Sequence, residues 1–314
     1  MLVFLLKRFA GFVGALIGAT LVVFIVLQML PGDPAEVMLG TEARPEQVKA
    51  LRAELGLDRP APERYAAWVG GLLSGDLGRS YTYQVPVAEL IGGRLLVTVP
   101  LALLSMAMTS VIALFLGVYA ASHQGRAGDL GVMGFTQLGI AVPSFWFAIL
   151  LILLFAIRLA WFPAGGFPGW SAGIAPALGA LLLPALSLSV VQAAILTRIT
   201  RSSMLEVLGE DFVRTARAKG NSRRRTLWRH ALRNALVPVV TIMGLQFASL
   251  LAGTIIVENV FTLPGLGRLV FQAITQHDLI VIQDVVVLLA ALVITINFAV
   301  DLLYLAIDPR LRGR

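Results

Sequence analysis

The 314-residue sequence contains no cysteine and only three histidines. Without cysteine, the chain can form no disulfide, no thiolate metal site and no cysteine nucleophile. The histidines, His123, His230 and His277, are too widely scattered to indicate a metal cluster. The composition therefore favours neither a disulfide scaffold nor a metalloprotein, and we predict no metal site.

The sequence also lacks two short motifs of common enzymes. A nucleotide-binding P-loop needs Gly-Lys followed by Ser or Thr, because its lysine reaches the phosphates. The three lysines, Lys7, Lys49 and Lys219, follow Leu, Val and Ala instead. HExxH is absent as well. We therefore expect no catalytic residues and no cofactor bound by this chain, so that ATP-driven work must come from another subunit.

Charged residues are scarce at 14% of the chain, whereas apolar residues make up 58% and the mean hydropathy is +0.84. Soluble domains carry about 25% charged residues, and a run of about 20 apolar residues crosses a bilayer. The sequence thus predicts an all-α polytopic protein of the lipid bilayer with six transmembrane helices. Pro143 and Pro184 fall inside two of them and can kink them. The predicted spans are residues 9–30, 95–121, 130–157, 177–197, 235–257 and 280–307.

The distribution of Lys and Arg predicts the orientation of these spans. Sixteen of the 25 basic residues lie in the amino terminus, the loop 122–129, the loop 198–233 and the tail 308–314. The loops on the other side carry the remaining basic residues, mostly in one long segment. The charge of a long loop has little influence on membrane orientation. The positive-inside rule therefore predicts that both termini and the loop 198–233 are cytoplasmic.

We divide the chain into an N-terminal part (1–93), a five-helix transmembrane domain (94–307) and a cytoplasmic tail (308–314). The first span is longer than a signal-peptide core and lacks a small-residue cleavage site, so we expect a retained anchor. The polar segment 31–93 is predicted to be an extracytoplasmic helical subdomain, with helices at 45–55 and 62–73. A partner-docking surface and a plain spacer both fit it.

The most basic stretch is residues 198–233, with ten Lys and Arg against three carboxylates. Asp211 is predicted to cap a helix over 212–219, and Gly220 to end it in the left-handed conformation. Asn221 and Ser222 can then cap a second, amphipathic helix. A helix, a glycine break and another helix between two spans indicate a rigid element rather than a slack tether.

Three interpretations of this basic loop remain open from the residues alone. Membrane topology by itself explains much of the charge. Nucleic-acid binding would need an exposed module with stacking aromatic residues, which is not evident, so we expect no nucleic-acid partner. The third interpretation is a docking helix for a cytoplasmic motor, which the helix–glycine–helix pattern favours.

The polar residues within the spans argue against ion coupling. The ionisable candidates lie near predicted span ends, whereas ion-coupled carriers usually hold such residues deep in the membrane. Neutral groups such as Gln192 and Gln246 lie nearer the middle. They are candidates for lining a translocation path, but such amides also bond neighbouring helices together.

At the basic loop, the sequence resembles the transmembrane subunits of ABC importers of the dipeptide/oligopeptide/nickel permease family. Their cytoplasmic "EAA" loop reads Glu-Ala-Ala-x3-Gly-x9-Ile-x-Leu-Pro, and Ala216, Gly220 and Leu232 match it. Arg214 replaces the Glu, and the Ile and the Pro are also absent, as is characteristic of the peptide-permease branch. Further similar segments, in order along the chain, are Leu-Pro-Gly-Asp-Pro (30–34), Leu-Ser-Gly-Asp-Leu-Gly-Arg-Ser (73–80), Pro-Ser-Phe-Trp (143–146), Glu-Asn-Val-Phe-Thr-Leu-Pro-Gly-Leu-Gly (258–267), Asp-Leu-Leu-Tyr (301–304) and Asp-Pro-Arg (308–310).

The resemblance implies a type I ABC importer domain in the bacterial inner membrane. It implies a second homologous permease, two cytoplasmic ATPase subunits that bind ATP and magnesium, and an extracytoplasmic solute-binding protein. Transport would follow alternating access, as ATP binding moves the docked loops as rigid bodies. Carried onto this sequence, the family's ATPase-docking residues are Val213, Arg214, Thr215, Ala216 and Gly220.

The resemblance leaves the substrate open among dipeptides, longer peptides, glutathione-like compounds and nickel chelates. The residues alone also allow a self-sufficient ion-coupled carrier or a membrane scaffold without transport. The absence of deep ionisable residues disfavours the carrier, and a scaffold gives the prolines and amides within the spans no purpose.

Overall fold

The computed structural model describes residues 2–29, 34–39, 44–54 and 56–307, and most of these residues are helical. The only β-pairing in the described ranges is an isolated bridge between Arg79 and Pro86. The predicted all-α class is confirmed. The helices are α1 (Leu2–Met29), α2 (Pro34–Leu39), α3 (Pro45–Glu54), α4 (Ala61–Ser74), α5 (Val87–Ser122), α6 (Ala127–Ala141), α7 (Ser144–Leu151), α8 (Ile174–Leu208), α9 (Asp211–Ala218), α10 (Arg223–Arg225), α11 (Leu232–Val260), α12 (Leu266–Thr275) and α13 (Leu279–Ile307). A π-helical turn, Ile152–Arg158, continues α7, and another, Thr226–Ala231, joins α10 to α11.

Five described helices are long and apolar enough to cross a membrane, and a sixth span results if one bent pair counts as one. The five are Leu5–Met29, Val87–Ser122, Ile174–Leu208, Arg223–Val260 and Leu279–Leu302. The bent pair, Ala127–Ala141 with Ser144–Arg158, turns through 102°. Each predicted span thus corresponds to helical structure, although α8 continues to Leu208 and takes up the start of the predicted basic loop.

The predicted span over 130–157 is bent at Val142 and Pro143, in line with the prediction that Pro143 can kink its span. Val142 is extended, with φ −88° and ψ 122°. The ring of a proline disfavours the helical conformation of the residue before it, so the helix ends there. Pro184 by contrast lies inside the unbroken helix α8, and Pro100 and Pro238 likewise lie inside α5 and α11.

The chain divides into two compact units, of which the first comprises residues 1–97 and 265–298. Its apolar core is built from α5, α12 and α13, with Val87, Leu266, Leu269 and Val281 fully or almost fully buried. The predicted helices at 45–55 and 62–73 are confirmed as α3 and α4. Helix α4 is held to its neighbours, because Trp68 Nε1 donates a hydrogen bond of 2.8 Å to Asp284 Oδ1 on α13.

The second unit comprises residues 98–264 and 299–314, and small residues let its helices approach closely. A Cβ atom added at Gly117 of α5 would lie 2.6 Å from Thr200 Cβ of α8. One added at Gly139 of α6 would lie 3.1 Å from Ala194 Cβ, also of α8. Small residues at helix contacts are typical of membrane bundles, where close packing replaces the hydrophobic effect. Helix α8 is therefore the centre of this unit.

Candidate functional site

Helix α9 occupies the middle of the basic loop, between two chain reversals. Glu210 is its N-cap residue and makes no side-chain capping hydrogen bond, so the prediction of Asp211 as the cap is wrong by one residue. At the other end, Gly220 has φ +82°, which confirms the predicted left-handed residue. The Asn221 amide then donates to the Ala216 carbonyl at 3.3 Å, and its side-chain amide donates to the same oxygen at 3.0 Å. These bonds close the helix tightly.

The two faces of α9 differ sharply. Val213 and Ala216 are 2% and 7% exposed, and their i,i+3 spacing places them on one face that packs into the chain. Arg214, Thr215 and Gly220 are exposed. Of the five candidate docking residues, two therefore face inward and three face outward. Phe212 is 43% exposed and adds an aromatic ring to the outward-facing residues. The match to the EAA pattern did not indicate Phe212.

The segment after α9 returns directly to the bundle. The Ser222 hydroxyl accepts a hydrogen bond of 3.3 Å from the Arg225 amide, which confirms the predicted serine cap. In the following π-helical turn, Leu227 and Ala231 are buried in a cluster with Val118 of α5 and Met204 of α8. The basic loop is therefore a packed element fixed to α5 and α8, as the helix–glycine–helix pattern predicted, and not a flexible tether.

A polar cavity of about 270 Å³ lies beside this loop. Arg126, Arg217 and Arg223 line it together with His123, and the Arg223 guanidinium donates to the Ser122 carbonyl. No carboxylate lines it. The sequence assigned the loop 122–129 and the basic loop to the same side of the membrane, and the structure brings them together into one positively charged surface.

The α6–α8 contact next to this surface contains a buried ion pair that could not be predicted from the sequence. Asp129 Oδ1 and Oδ2 accept hydrogen bonds from Arg201 Nε and Nη2 at 2.6 and 2.7 Å. Oδ2 also accepts from the Gly125 amide at 2.9 Å. Asp129 is 2% exposed. The pair fixes the end of the 122–126 turn to α8, the helix that leads into α9.

The two candidate path residues come together between α8 and α11. Gln246 Nε2 donates to the main-chain oxygen of Gln192 at 3.1 Å, and Gln246 is 5% exposed. Gln192 is half-buried. Gln246 thus bonds one helix to its neighbour. Of the two glutamines, only Gln192 has an accessible side chain.

In the first unit, a turn between α4 and α5 is fixed to the start of α13. The carboxylate of Asp278, fully buried, accepts from Ser80 Oγ at 2.5 Å and from the Thr82 amide at 3.1 Å. The burial of Tyr81, together with the nearby charge of Asp278, raises the pKa of this tyrosine to about 12. Within the described residues, no group of three His, Asp or Glu side chains is arranged to hold a metal ion.

Comparison with known proteins gives matches along nearly the whole chain. The family model described as "Binding-protein-dependent transport system inner membrane component" matches residues 113–313. The companion model for the N-terminal part of such membrane components matches residues 1–102. A putative peptide transport system permease protein of Brucella abortus (strain 2308) is 44% identical over 308 residues, which cover 98% of both chains. The dipeptide transport system permease protein of Escherichia coli (strain K12) is 38% identical, and the match covers both chains completely.

Solved structures show the same fold at lower sequence identity. A chain of the MetNI methionine ABC transporter, in an inward-facing conformation, matches with a TM-score of 0.58 at 21% identity. The match covers 70% of this chain and 96% of that one. An amino acid ABC transporter solved with histidines matches with a TM-score of 0.52 at 16% identity, covering 70% of this chain and 94% of that one.

Proposed function

This chain belongs to the family of inner membrane components of binding-protein-dependent transport systems, and on that premise we propose that it forms half of an ATP-driven import path for peptides. The proposed substrate class rests on the full-length similarity to permeases named for peptide and dipeptide transport. Di- and oligopeptides and related small solutes fit this proposal.

The proposed assembly contains a second homologous permease, two cytoplasmic ABC ATPase subunits and an extracytoplasmic solute-binding protein. ATP and magnesium bind to the ATPase subunits, and this chain supplies no ATPase site. The absence of a Gly-Lys dipeptide from the sequence supports this division of labour. The chain spans the bacterial inner membrane several times, with the basic loop and both termini on the cytoplasmic side.

In the proposed coupling mechanism, α9 docks on an ATPase through its outward-facing residues. Phe212, Arg214 and Thr215 touch the partner, whereas Val213 and Ala216 hold α9 against its own bundle. Gly220 reverses the chain so that the next helix can return to α5 and α8. Because both ends of α9 are fixed, displacement of the helix by the ATPase is passed to the spans and is not absorbed by a flexible loop.

The α9 surface is complementary to an acidic partner. Arg214, Arg217 and Lys219 are exposed, and only Asp211 offers an exposed carboxylate on the helix itself. The Arg214–Asp211 pair is itself exposed, with a distance of 3.3 Å, so it is weakly held and can exchange for a carboxylate of the partner.

The path itself is proposed to run beside α8 and α11. Gln192 is the candidate for contact with solute, because its side chain is accessible, and Gln246 positions it by bonding its main chain. An amide can donate to and accept from a peptide backbone without selecting a charge. Such contacts suit a path of low selectivity, with the choice of solute made by the binding protein.

The assembly is tested by affinity purification of this chain from its native membrane, followed by identification of the co-purified subunits. Recovery of a second permease and of P-loop ATPases is expected. Recovery of this chain alone, in a form that transports solute in liposomes, would replace the proposal by an independent carrier.

A further inference from the structure

A second groove lies where the basic loop meets α5. It has a volume of about 520 Å³ and is lined by Phe115 of α5 and by Ser222, Arg224, Arg225 and Trp228. The rings of Phe115 and Trp228 lie 5.4 Å apart. The groove therefore combines an aromatic floor with two guanidinium groups, and none of its lining residues is a carboxylate.

The aromatic floor faces outward from the unit. Phe115 is 60% exposed and Trp228 is 39% exposed. Phe115 continues a strip of exposed apolar residues on α5, since Val111 and Tyr119, one turn away on either side, are 55% and 46% exposed. We expect such a strip on a membrane-crossing helix to contact acyl chains, which places the groove where lipid is present.

The polar part of the groove lies at the depth of lipid headgroups. Phe115 is two turns before the end of α5 at Ser122, and the neighbouring Arg224 and Arg225 belong to α10, outside the apolar part of the next span. Tryptophan and arginine are typical of this interface, because the ring faces the acyl region and the cation faces the headgroups.

We propose that this groove binds one anionic glycerophospholipid. Its phosphate lies against Arg224 and Arg225, with the Ser222 hydroxyl at the same rim, and the first part of an acyl chain lies on Phe115 and Trp228. An acidic protein surface would match the arginines but would leave the aromatic floor against polar groups. A lipid matches both the two arginines and the two aromatic rings of the groove. It would also join α5 to the loop that contains α9.

The charge of the two arginines determines how strongly the groove should prefer an anionic lipid over a zwitterionic one. Each basic residue near an anionic membrane surface strengthens binding about fivefold, so the two arginines give a preference of roughly 30-fold for an anionic over a zwitterionic lipid. The inference rests on the membrane location of the chain and not on its solute or on the docking of α9.

The test uses the assembled transporter in nanodiscs of phosphatidylcholine, with Trp228 as the reporter. Phosphatidylglycerol or phosphatidylcholine carrying brominated acyl chains is added at low mole fraction, because bromine quenches an indole ring on contact. Brominated phosphatidylglycerol is expected to quench more than brominated phosphatidylcholine, and the excess should disappear in Trp228→Phe. The excess should also disappear in the double variant Arg224→Gln/Arg225→Gln.

The matched control is Arg229→Gln/Arg233→Gln, which removes two exposed arginines of the same loop that do not line the groove. It should keep the excess quenching. Equal quenching by the two lipids, or an excess that survives Arg224→Gln/Arg225→Gln, would overturn the proposal. Loss of the excess on addition of inorganic phosphate would identify a free anion as the ligand instead. Excess quenching of the isolated chain but not of the assembly would show that a partner subunit covers the groove.

Discussion

Arg201 of α8 donates hydrogen bonds from Nε and Nη2 to the two carboxylate oxygens of Asp129 on α6, at 2.6 and 2.7 Å. Two parallel bonds of this kind are the strongest geometry available to an arginine–carboxylate pair. Since Asp129 is 2% exposed, its charge depends on Arg201 and on the Gly125 amide for compensation. The pair joins the turn beside the basic loop to the helix that leads into α9.

Arg201→Gln should therefore destabilise the protein strongly, because it leaves a buried carboxylate without its cation. Breaking a buried pair from one side costs about 3–5 kcal/mol, and since the Arg201 side chain is 24% exposed we expect about 3 kcal/mol. The measurement is thermal unfolding of the detergent-solubilised chain. Asp211→Asn, which removes only the exposed pair with Arg214, is the control and should leave the unfolding temperature unchanged. Equal effects of the two variants would refute the structural role of Asp129.

Ala216→Glu should abolish ATP-dependent uptake while membrane insertion stays intact. Ala216 is 7% exposed, so the longer charged side chain must push α9 away from the bundle. Ala216→Ser adds one uncharged atom at the same buried position, so it serves as the control and should keep uptake. Uptake by reconstituted transporter is measured with a labelled dipeptide. Normal uptake by Ala216→Glu would contradict the assignment of α9 as the coupling element.

Gly117→Ala should destabilise the contact between α5 and α8. The new Cβ would lie 2.6 Å from Thr200 Cβ, and overpacking of this kind costs about 1–3 kcal/mol. Gly131→Ala in α6 meets nothing within 4 Å, and the helix preference of alanine should make it neutral or stabilising by up to about 1 kcal/mol. Gly117→Ala should thus lower the unfolding temperature and Gly131→Ala should not, and an unfolding temperature of Gly117→Ala equal to or above that of Gly131→Ala would argue against the close approach.

The raised pKa of Tyr81 predicts that the stability of the folded chain falls at alkaline pH. Its pKa is raised to about 12 in the folded chain, against an ordinary value near 10. The unfolded chain therefore loses this proton first, so the stabilisation is complete below pH 10 and is lost as the pH rises towards 12. The unfolding temperature of wild type should fall more steeply over this window than that of Tyr81→Phe, whereas the two slopes should agree between pH 8 and 9. Parallel curves up to pH 12 would show that the phenol is not held in its neutral form.

The features that local sequence patterns determine were predictable. Long apolar runs located every span, and Gly220 with Ser222 located the helix–glycine–helix element, because one residue type at one position decides a left-handed turn or a cap. The bend at Pro143 was not distinguishable from the unbroken helix at Pro184, since both prolines lie in similar apolar runs. The difference depends on surrounding helices that periodicity does not describe.

Contacts between residues far apart in sequence were not predictable. Asp129 with Arg201, and Ser80 with Asp278, are separated by 72 and 198 residues. The inward and outward faces of α9 also required the structure, since the match to the EAA pattern ranks Ala216 by its position in the motif and not by its burial. The motif located the element, and the fold determined which of its residues are accessible.

We propose that this chain transports peptide only as part of an ATP-driven assembly. The direct measurement is uptake of a labelled dipeptide by proteoliposomes that contain this chain, its second permease, the binding protein and ATP, with and without the ATPase subunits. We expect uptake that requires both the ATPase subunits and hydrolysable ATP. Uptake that continues without the ATPases, driven by an ion gradient, would contradict it.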